Sequence, residues 1–317
     1  MSTAPLRLGT RRSQMALVQA GQVARLITER TGRAVELVPV TTFGDVSRAQ
    51  LAQIGGTGVF VSGLRERLLA GEVDVAVHSL KDLPTAAPGG IVLAAVPSRD
   101  DPRDVLVTAD GVKLADLPAG ARIGTGSPRR AAQLRLLRPD VVPVPVRGNA
   151  DTRLSKVGSG QLDAVVLGYA GLARIDRLDA VAEVFEPDEM LPAPGQGALA
   201  VECAAEPTEL AALLAAADDP PSRAAVSAER SVLAALQGGC SAPVGAYAAH
   251  TPATDTLHLQ AGVFDPGGAG AVRAAGSGAA ADAAALGRQV ATELLRRGAG
   301  EYVSVPAARP SDGGDPQ

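Results

Sequence analysis

The sequence is poor in aromatic residues, in lysine and in the residue types that bind metals. Phe, Tyr and Trp together make up 2% of the 317 residues, and there is no Trp. Sites for single-stranded nucleic acid usually stack bases on aromatic side chains, and a net charge of −4 with a pI of about 5.5 is unlike a general nucleic-acid binder. Three His and two Cys are scattered along the chain without the spacing of a metal site. The composition therefore argues against a nucleic-acid partner and against a bound metal.

Signals for membranes and export are also lacking. No apolar run approaches the length of a membrane span, and residues 1–30 contain no uninterrupted apolar segment like that of a secretory signal. We therefore expect a cytoplasmic protein without a membrane partner. In a reducing compartment, Cys203 and Cys240 are expected to be free thiols.

The two cysteines lie in different surroundings. Cys203 belongs to a β-type run (ALAVEC) and is expected to be an inert core residue. Cys240 follows Gly238 and Gly239, which predicts that its thiol lies on a loop. Spacing alone does not decide whether Cys240 is a nucleophile, a covalent attachment point or an exposed thiol.

Hydrophobic residues make up 46% of the chain, enough for two or three globular domains. Strand patterns alternate with helical patterns, which favours an α/β fold. Three pairs of segments resemble each other in the same order along the chain: residues 7–10 and 122–125 (RLGT, RIGT), 35–40 and 141–146 (VELVPV, VVPVPV), and 71–74 and 160–163 (GEVD, GQLD). Chance similarity between α/β units is the alternative. We predict two similar α/β domains with a cleft between them.

Local patterns predict individual elements. We expect strands at 6–10, 35–40 and 73–79, a helix that Ser13 caps and that ends near Gly32, and a helix at 59–70. A third unit is expected from about 218, with a helix capped by Ser222, two β-type runs around the turn at 265–268, and a helix near 280–297. The glycine-rich stretch 44–58 is interpreted as a mobile loop over a site, and the tail from Pro306 as disordered.

Arginine is placed unusually. The chain has 27 Arg and three Lys, and several arginines lie where a predicted strand meets a helix: Arg11-Arg12, Arg129-Arg130, and Arg147 with Arg153. A helix N-terminus carries a partial positive charge, so each added cation costs about 0.3–1 kcal/mol unless an anion arrives. This placement predicts a cleft for a ligand with several negative groups. The alternative is codon bias and solvated helix faces, which we expect for Arg65, Arg67, Arg296 and Arg297.

Two short motifs carry the clearest chemistry. Ser127 and Pro128 are favoured at a helix start, so a hydroxyl, backbone N–H groups and the guanidiniums of Arg129 and Arg130 converge. The alternative is an ordinary capped helix with exposed arginines. Asp82 closes the run HSLKD and would point into the same cleft, where one carboxylate among cations suits stabilising positive charge and moving a proton. A Lys–Asp pair on a surface turn is the alternative, and His78 is expected to be a packed strand residue.

From about residue 6 to residue 303, the chain resembles the porphobilinogen deaminase (hydroxymethylbilane synthase) family. The motifs that carry the resemblance occur in order: RLGTRRS at 7–13, the glycine loop through Gly58, VAVHSLKD at 75–82, DPRD at 101–104, GTGSPRR at 124–130, RGNADTRLSKV at 147–157, LPAPGQGAL at 191–199 and GGCSAPVG at 238–245.

The resemblance implies an activity and a set of site residues. Such enzymes are transferases that join four porphobilinogen molecules head to tail, release four ammonia molecules and free hydroxymethylbilane in haem biosynthesis. A dipyrromethane cofactor is attached by a thioether, here at Cys240, and Asp82 would be the catalytic carboxylate. The resemblance assigns the cofactor carboxylates to Lys81, Thr125, Ser127, Arg129 and Arg130, and it counts Asp82 among the cofactor-binding residues as well. It assigns the substrate or the growing chain to Arg11, Ser13, Arg147, Arg153, Arg174 and Gln196.

The family also implies an organisation. Two lobes like those of periplasmic binding proteins would surround a cleft, with a smaller α+β domain presenting the cysteine. Residues 1–98 and 198–217 would form a discontinuous first domain, 102–194 the second and 218–305 the third, followed by a disordered tail at 306–317. Nothing in the sequence demands more than a monomer, which we therefore expect, and the resemblance implies that the product passes to uroporphyrinogen-III synthase. Thr57 and Gln53 stand where relatives often have lysine, and Gly126 replaces a common hydroxyl residue, so loop charge and one donor depart from the family pattern.

Two functions from other classes compete with this interpretation. A non-enzymatic solute-binding protein would suit two α/β lobes around an anion cleft, but it predicts an export signal and gives Cys240 no task. An arginine-rich phosphate or RNA binder predicts a basic pI or stacking aromatics, and the sequence has neither.

Overall fold

A computed structural model describes residues 4–40, 59–86, 88–239 and 242–303 of the chain. Cys240, the predicted loop 44–58 and the tail from Pro306 lie outside the described residues. The strands are β1 (Leu6–Arg11), β2 (Val35–Val40), β3 (Val75–Ser79), β4 (Ile91–Ala95), β5 (Asp104–Thr108), β6 (Arg122–Thr125), β7 (Val142–Pro145), β8 (Ala164–Gly168), β9 (Val181–Val184), β10 (Leu199–Ala204), β11 (Val244–Thr251), β12 (Thr256–Phe264) and β13 (Ala271–Ala279). The helices are α1 (Gln14–Thr31), α2 (Val59–Leu69), α3 (Pro128–Leu137), α4 (Ala150–Gly158), α5 (Tyr169–Arg174), α6 (Thr208–Leu214), α7 (Pro220–Ala235), α8 (Ala283–Arg296) and α9 (Gly300–Val303).

Two five-stranded sheets share one topology. The first lobe is built on the sheet β2-β1-β3-β10-β4, and the second lobe on β7-β6-β8-β5-β9. In each sheet the first three strands are parallel, and the fourth runs antiparallel to both of its neighbours. The chain leaves the first lobe after β4, forms the second lobe, and returns at β10. The prediction of two similar α/β lobes is confirmed.

The internal repeat extends to individual hydrogen bonds. In the first lobe, Arg7 N–H donates to Asp74 Oδ2 at 2.7 Å, and the Arg7 guanidinium donates to the Gly71 carbonyl at 2.8 Å. In the second lobe, Arg122 N–H donates to Asp163 Oδ2 at 2.6 Å, and its guanidinium donates to the Gly160 carbonyl at 3.0 Å. The repeated Arg and Gly-x-x-Asp segments thus make the same strand-to-turn contact twice.

The helix starts follow from capping. Ser13 accepts a hydrogen bond from Ala16 N–H at the start of α1, and Gly32 ends that helix with φ at 70°. Ser127 caps α3 in the same way, accepting from Arg130 N–H, with Pro128 as the first helical residue. These predictions are confirmed.

The predicted cap of α7 was wrong. Asp219 caps this helix by accepting from Ser222 N–H at 3.0 Å. Ser222 lies inside the first turn, because two prolines, which are favoured there, precede it. Its hydroxyl oxygen accepts from Arg99 N–H instead, at 2.9 Å.

The third lobe consists of the antiparallel sheet β11-β12-β13 with α7 and α8 packed on it. Its core contains Val232, Leu257 and Leu286 among other aliphatic residues. The turn between β12 and β13 and the helix after it occur as predicted. Strand β11 was not predicted, because its run of Gly and Ala has low β propensity.

The expectation for Arg65 was also wrong. Its side chain is only 13% exposed and donates from Nε and Nη2 to both carboxylate oxygens of Glu202, at 2.9 and 2.6 Å. Glu202 lies on β10, which enters the first sheet only after the second lobe is complete. The other three arginines expected on solvated faces (Arg67, Arg296 and Arg297) are exposed.

The third lobe is fixed to the crossover segments by a buried carboxylate. Glu229 on α7 is fully buried and forms an ion pair with Arg99, with an Nη1–Oε1 distance of 2.6 Å. It also accepts hydrogen bonds from Gly195 N–H at 2.7 Å and Ala248 N–H at 2.9 Å. One side chain therefore joins both crossovers to β11.

Candidate functional site

The predicted site residues follow the carboxyl ends of parallel strands. In the first lobe, Arg11 is the last residue of β1, and Lys81 and Asp82 form a short 3₁₀ turn directly after β3. In the second lobe, Thr125 ends β6 and Arg147 follows β7. Ligands of open α/β sheets bind at such edges.

A buried carboxylate organises the arginines of α3. Asp104, the first residue of β5, is fully buried. Its Oδ1 lies 2.6 Å from Arg130 Nη2, and its Oδ2 lies 2.8 Å from Arg129 Nη1. The two cations hold the pKa of Asp104 far below its ordinary value, against the opposing effect of burial. We call Asp104, Arg129, Arg130, Gln196 and Lys81 the Asp104 cluster.

Both arginines are interior side chains. Arg129 is 2% exposed and Arg130 is 6% exposed. Arg129 donates from Nη1 to the Leu191 carbonyl, and Arg130 donates from Nη1 to the Val166 carbonyl at 3.1 Å. The alternative in which α3 is a capped helix with two exposed arginines is therefore wrong.

Gln196 connects the two lobes through this cluster. Its Nε2 donates to Asp104 Oδ1 at 2.8 Å and to the Pro102 carbonyl at 2.6 Å. Its Oε1 accepts from Lys81 Nζ at 3.2 Å and from Arg130 Nη2 at 3.4 Å. Since Lys81 follows β3 of the first lobe and Arg130 lies in the second, the carboxyl edges of the two sheets meet here.

The charge of the cluster is unbalanced. Lys81, Arg129 and Arg130 are three cations. Among the described ion pairs, Asp104 is the carboxylate that pairs with both arginines, while Lys81 donates to Gln196 and is attracted by Asp82 and Asp104 without an ion pair. Burial and the nearby Arg130 lower the pKa of half-buried Lys81 to about 8. Arg129 Nε is buried and has no hydrogen-bond partner among the residues that the structure describes. Buried cations without matching anions are costly, so the cluster suits a ligand that brings carboxylates.

Two further predicted arginines are held by nearby oxygens. Arg153 Nε donates to the Gly148 carbonyl at 2.9 Å, and burial together with Arg130 lowers the pKa of Arg153. Arg174 on α5 donates from Nη2 to the Gly197 carbonyl at 2.7 Å and from Nε to Asp100 Oδ2 at 2.9 Å. A β-carbon at Gly197, where φ is 86°, would collide with the Asp100 carbonyl. The two crossover segments thus touch beside Arg174.

The hydroxyl residues have structural partners. Thr125 Oγ1 accepts from Ser127 N–H at 3.2 Å, and Ser127 and Ser13 cap helices. A β-carbon at Gly126 would lie 2.9 Å from the Val146 carbonyl oxygen, so a hydroxyl residue would require a shift of this loop. Arg147 and Asp82 are exposed.

Asp104 was not predicted as a site residue, although it lies in the motif DPRD at 101–104. The available signal was an acidic residue at the start of an otherwise apolar strand, DVLVT, which would be costly to bury alone. Asp100, the partner of Arg174, was missed as well. In both cases the partner lies more than 20 residues away along the chain.

Comparisons with known proteins identify the family. The family model "Porphobilinogen deaminase, dipyromethane cofactor binding domain" matches residues 6–212, and "Porphobilinogen deaminase, C-terminal domain" matches residues 224–296. The chain belongs to the porphobilinogen deaminase family. It is therefore a transferase of tetrapyrrole biosynthesis that polymerises porphobilinogen. It also contains the domain that binds the dipyrromethane cofactor.

Individual relatives match over almost their whole length. Porphobilinogen deaminase of Thermobifida fusca is 60% identical over 316 residues, which are 97% of this chain and 98% of the relative. Porphobilinogen deaminase 1 of Streptomyces coelicolor is 56% identical, covering 94% and 97%. The Mycobacterium tuberculosis enzyme of the same name is 51% identical, covering 94% and 98%.

Solved structures give a more distant likeness. The methionine-binding protein MetQ is 12% identical with a TM-score of 0.44, over 68% of this chain and 90% of that one. The periplasmic VFT2 domain of Bordetella pertussis BvgS is 19% identical with a TM-score of 0.42, over 67% and 86%. Likeness at this level does not bear on what this chain binds.

Neither a membrane-spanning helix nor a metal site occurs in the described ranges. Among the helices in these ranges, none is long and apolar enough to cross a membrane. Within the same ranges, no group of three or more His, Cys, Asp or Glu is arranged to hold a metal ion.

We predict that Asp104→Asn lowers the free energy of unfolding by about 3–5 kcal/mol at pH 7, because it leaves two buried guanidiniums without a counterion. The pKa of Asp104 is lowered in the folded state, so its stabilisation is present above about pH 4 and is lost as the pH falls further. The variant should therefore lose less stability than the wild type between about pH 4 and pH 2. Chemical denaturation across this range measures both effects.

Asp140→Asn is the matched control, because Asp140 pairs with Arg138 on the surface. It should leave the unfolding midpoint at pH 7 nearly unchanged. Equal losses in the two variants would contradict the central role of Asp104.

Proposed function

We propose that this chain joins four porphobilinogen molecules head to tail into hydroxymethylbilane and releases four ammonia molecules, while the growing chain stays tethered through Cys240. The observation that carries this proposal is the Asp104 cluster, a buried site with excess positive charge where the two lobes meet. Lys81 of this cluster is followed directly by Asp82. Pyrroles that carry acetate and propionate groups supply the missing negative charge.

The residues of the cluster fit a dipyrromethane cofactor. Lys81, Arg129 and Arg130 would hold its carboxylates, and Thr125 and Ser127 lie at the same helix start. Arg129 Nε supports this assignment, because it is buried and has no hydrogen-bond partner in the described part of the chain. When bound, the cofactor supplies a permanent attachment point and the first acceptor for the chain. We assign its thioether to Cys240, which lies outside the described residues.

The remaining arginines suit the incoming substrate and the growing chain. Arg11 is the last residue of β1, and Arg147 follows β7, so both lie at carboxyl edges of the two sheets. Arg153 lies close enough to Arg130 for their charges to interact, and Arg174 lies at the crossover. Gln196 uses both ends of its amide on internal partners. We therefore assign Gln196 to orienting Lys81 and Arg130 rather than to extended contact with substrate. Ser13 completes the substrate set.

Asp82 is placed to act on the reacting pyrrole. Its exposed carboxylate adjoins Lys81 and can stabilise the cation that forms when substrate loses ammonia. The same oxygen atoms can accept the proton that the attacking pyrrole α-carbon loses, which returns the ring to its aromatic state. Lys81 and the arginines meanwhile hold carboxylates and keep the reacting rings aligned.

We also propose the finer organisation. Residues 1–98 and 198–217, 102–194, and 218–305 would form the three domains, in keeping with one sheet in each. We expect a monomer in the cytoplasm whose product passes to uroporphyrinogen-III synthase. A non-enzymatic solute-binding protein, the alternative considered from the sequence, would require no covalent group on Cys240.

The first test concerns the covalent attachment of the cofactor to Cys240. Purified protein should carry a mass increment of two pyrrole units and turn red with an aldehyde pyrrole reagent, because the cofactor is attached permanently. Cys240→Ser should lack both signals and all activity, whereas Cys203→Ser should keep them, since Cys203 is buried on β10. Intact mass spectrometry measures the increment in each protein. An active wild-type protein without the increment would refute covalent attachment at Cys240.

The second test concerns the carboxylate. Asp82→Asn should fold and carry the cofactor but lose at least about 100-fold in turnover, because an amide neither stabilises a cation nor accepts the proton. Asp110→Asn, at an exposed turn after β5, is the control and should match the wild type. Steady-state formation of hydroxymethylbilane measures the difference, and full activity of Asp82→Asn would remove Asp82 from the mechanism.

The third test uses pH. In cofactor-free Cys240→Ser, Lys81 should lose its proton near pH 8 in the folded state, while the unfolded chain keeps it to about pH 10.4. Stability should therefore rise with pH between these values, relative to Cys240→Ser with Lys81→Met. The cofactor-bearing protein should show a smaller rise, because bound carboxylates keep Lys81 charged. The same rise with and without the cofactor would place the carboxylates elsewhere.

A further inference from the structure

Arg230 on α7 contacts the turn that carries Asp82. Its Nη1 donates to the carbonyls of Leu80 at 3.2 Å and Leu83 at 3.0 Å, and its Nη2 donates to the Pro84 carbonyl at 2.7 Å. These three carbonyls lie on both sides of Lys81 and Asp82. A side chain of the third lobe therefore spans the turn of the first lobe that carries Asp82.

Apolar packing reinforces this contact. Leu80 is fully buried and Leu83 is nearly so, and both pack in one cluster with Val226. Val226 precedes Arg230 by four residues, one turn of α7, so the same helix face presents both side chains to the turn. Leu80 N–H also donates to the Ala198 carbonyl at 3.0 Å.

A buried carboxylate near Arg230 makes a cation tolerable there. Glu202 attracts Arg230 while burial lowers the pKa of this guanidinium. Glu202 itself is held by Arg65, and His78 Nε2 lies 3.3 Å from its Oε2. Glu202 thus offsets part of the cost of burying Arg230, although it also pairs with Arg65, and the N–H groups of Arg230 donate to the three carbonyls.

Helix α7 also leads to the tether. It ends at Ala235, five residues before Cys240. We propose that Arg230 is a positioning residue that fixes the Asp82 turn relative to the lobe that bears Cys240. The inference rests on the proposed roles of Asp82 and Cys240. Arg230 donates to backbone carbonyls that flank Lys81 and Asp82, so its effect should fall on the position of Asp82, and hence on turnover, rather than on substrate binding.

Arg230→Gln should lower kcat by about 10- to 100-fold, since a displacement of about 1 Å at a reacting group can cost that much. KM should change less than about threefold, and the two-pyrrole mass increment should persist. Arg230→Lys should be intermediate, because an ammonium cannot span three carbonyls in a fixed fork. Methylguanidinium added to Arg230→Ala should restore at least several-fold of the lost kcat.

Arg223 offers a matched control on the same helix. It also donates to a backbone carbonyl of the first lobe, that of Ala94 at 3.0 Å, and pairs with Asp218, but it does not contact the Asp82 turn. Arg223→Gln should lower the unfolding midpoint to a similar extent while kcat stays within about twofold of the wild type. Methylguanidinium should leave the kcat of Arg223→Ala unchanged.

The outcomes distinguish a failure of the positioning role of Arg230 from a failure of the proposed function. Wild-type kcat in Arg230→Gln, or an equal loss of kcat in the Arg223 variants, would overturn the positioning role and leave the proposed function intact. An active wild-type protein that lacks the two-pyrrole increment would overturn the proposed function itself. If Arg230→Gln does not fold, Arg230→Lys and the methylguanidinium measurement carry the test, and wild-type turnover in Arg230→Lys would then overturn the inference.

Discussion

One buried carboxylate determines how the site is built. Asp104 draws two guanidiniums into the interior, where they are oriented by the capped start of α3, and Gln196 extends the cluster to Lys81 of the other lobe. The arrangement leaves more positive than negative charge among the buried side chains of the Asp104 cluster. Because rearranging a buried ion network costs several kcal/mol, the cations are in place before a pyrrole with its carboxylates binds.

Adjacent residues of α7 attach the third lobe at two places. Glu229 binds the crossover segments, and Arg230 binds the turn that follows β3. Arg230 donates to backbone carbonyls, whereas Glu229 accepts from Gly195 N–H and also pairs with the Arg99 side chain. The lobe that leads to Cys240 is thereby held both to the crossover segments and to the turn that carries Asp82.

Local sequence patterns predicted much of the fold and the site residues that lie at strand ends and helix starts. Ser13 and Ser127 were identified as caps because capping depends on neighbouring residues alone, and the repeat predicted two lobes. The partners of the charged residues could not be predicted in this way. Asp104, Glu202 and Glu229 meet their arginines across separations of 25 to more than 130 residues, and β10 enters its sheet after an entire lobe has intervened. Arg65 was misjudged for that reason.

The contact between Gly197 and Asp100 has a consequence for the modularity of the chain. Both ends of the second lobe lie side by side, so this lobe has the geometry of an insertion into a loop between β4 and β10. A short linker from residue 98 to residue 198 would bridge the gap and remove the second lobe, but it would also remove Arg99 and Gly195, the crossover partners of buried Glu229. The duplicated Arg and Gly-x-x-Asp contacts are what an ancestral gene duplication followed by such an insertion would leave behind.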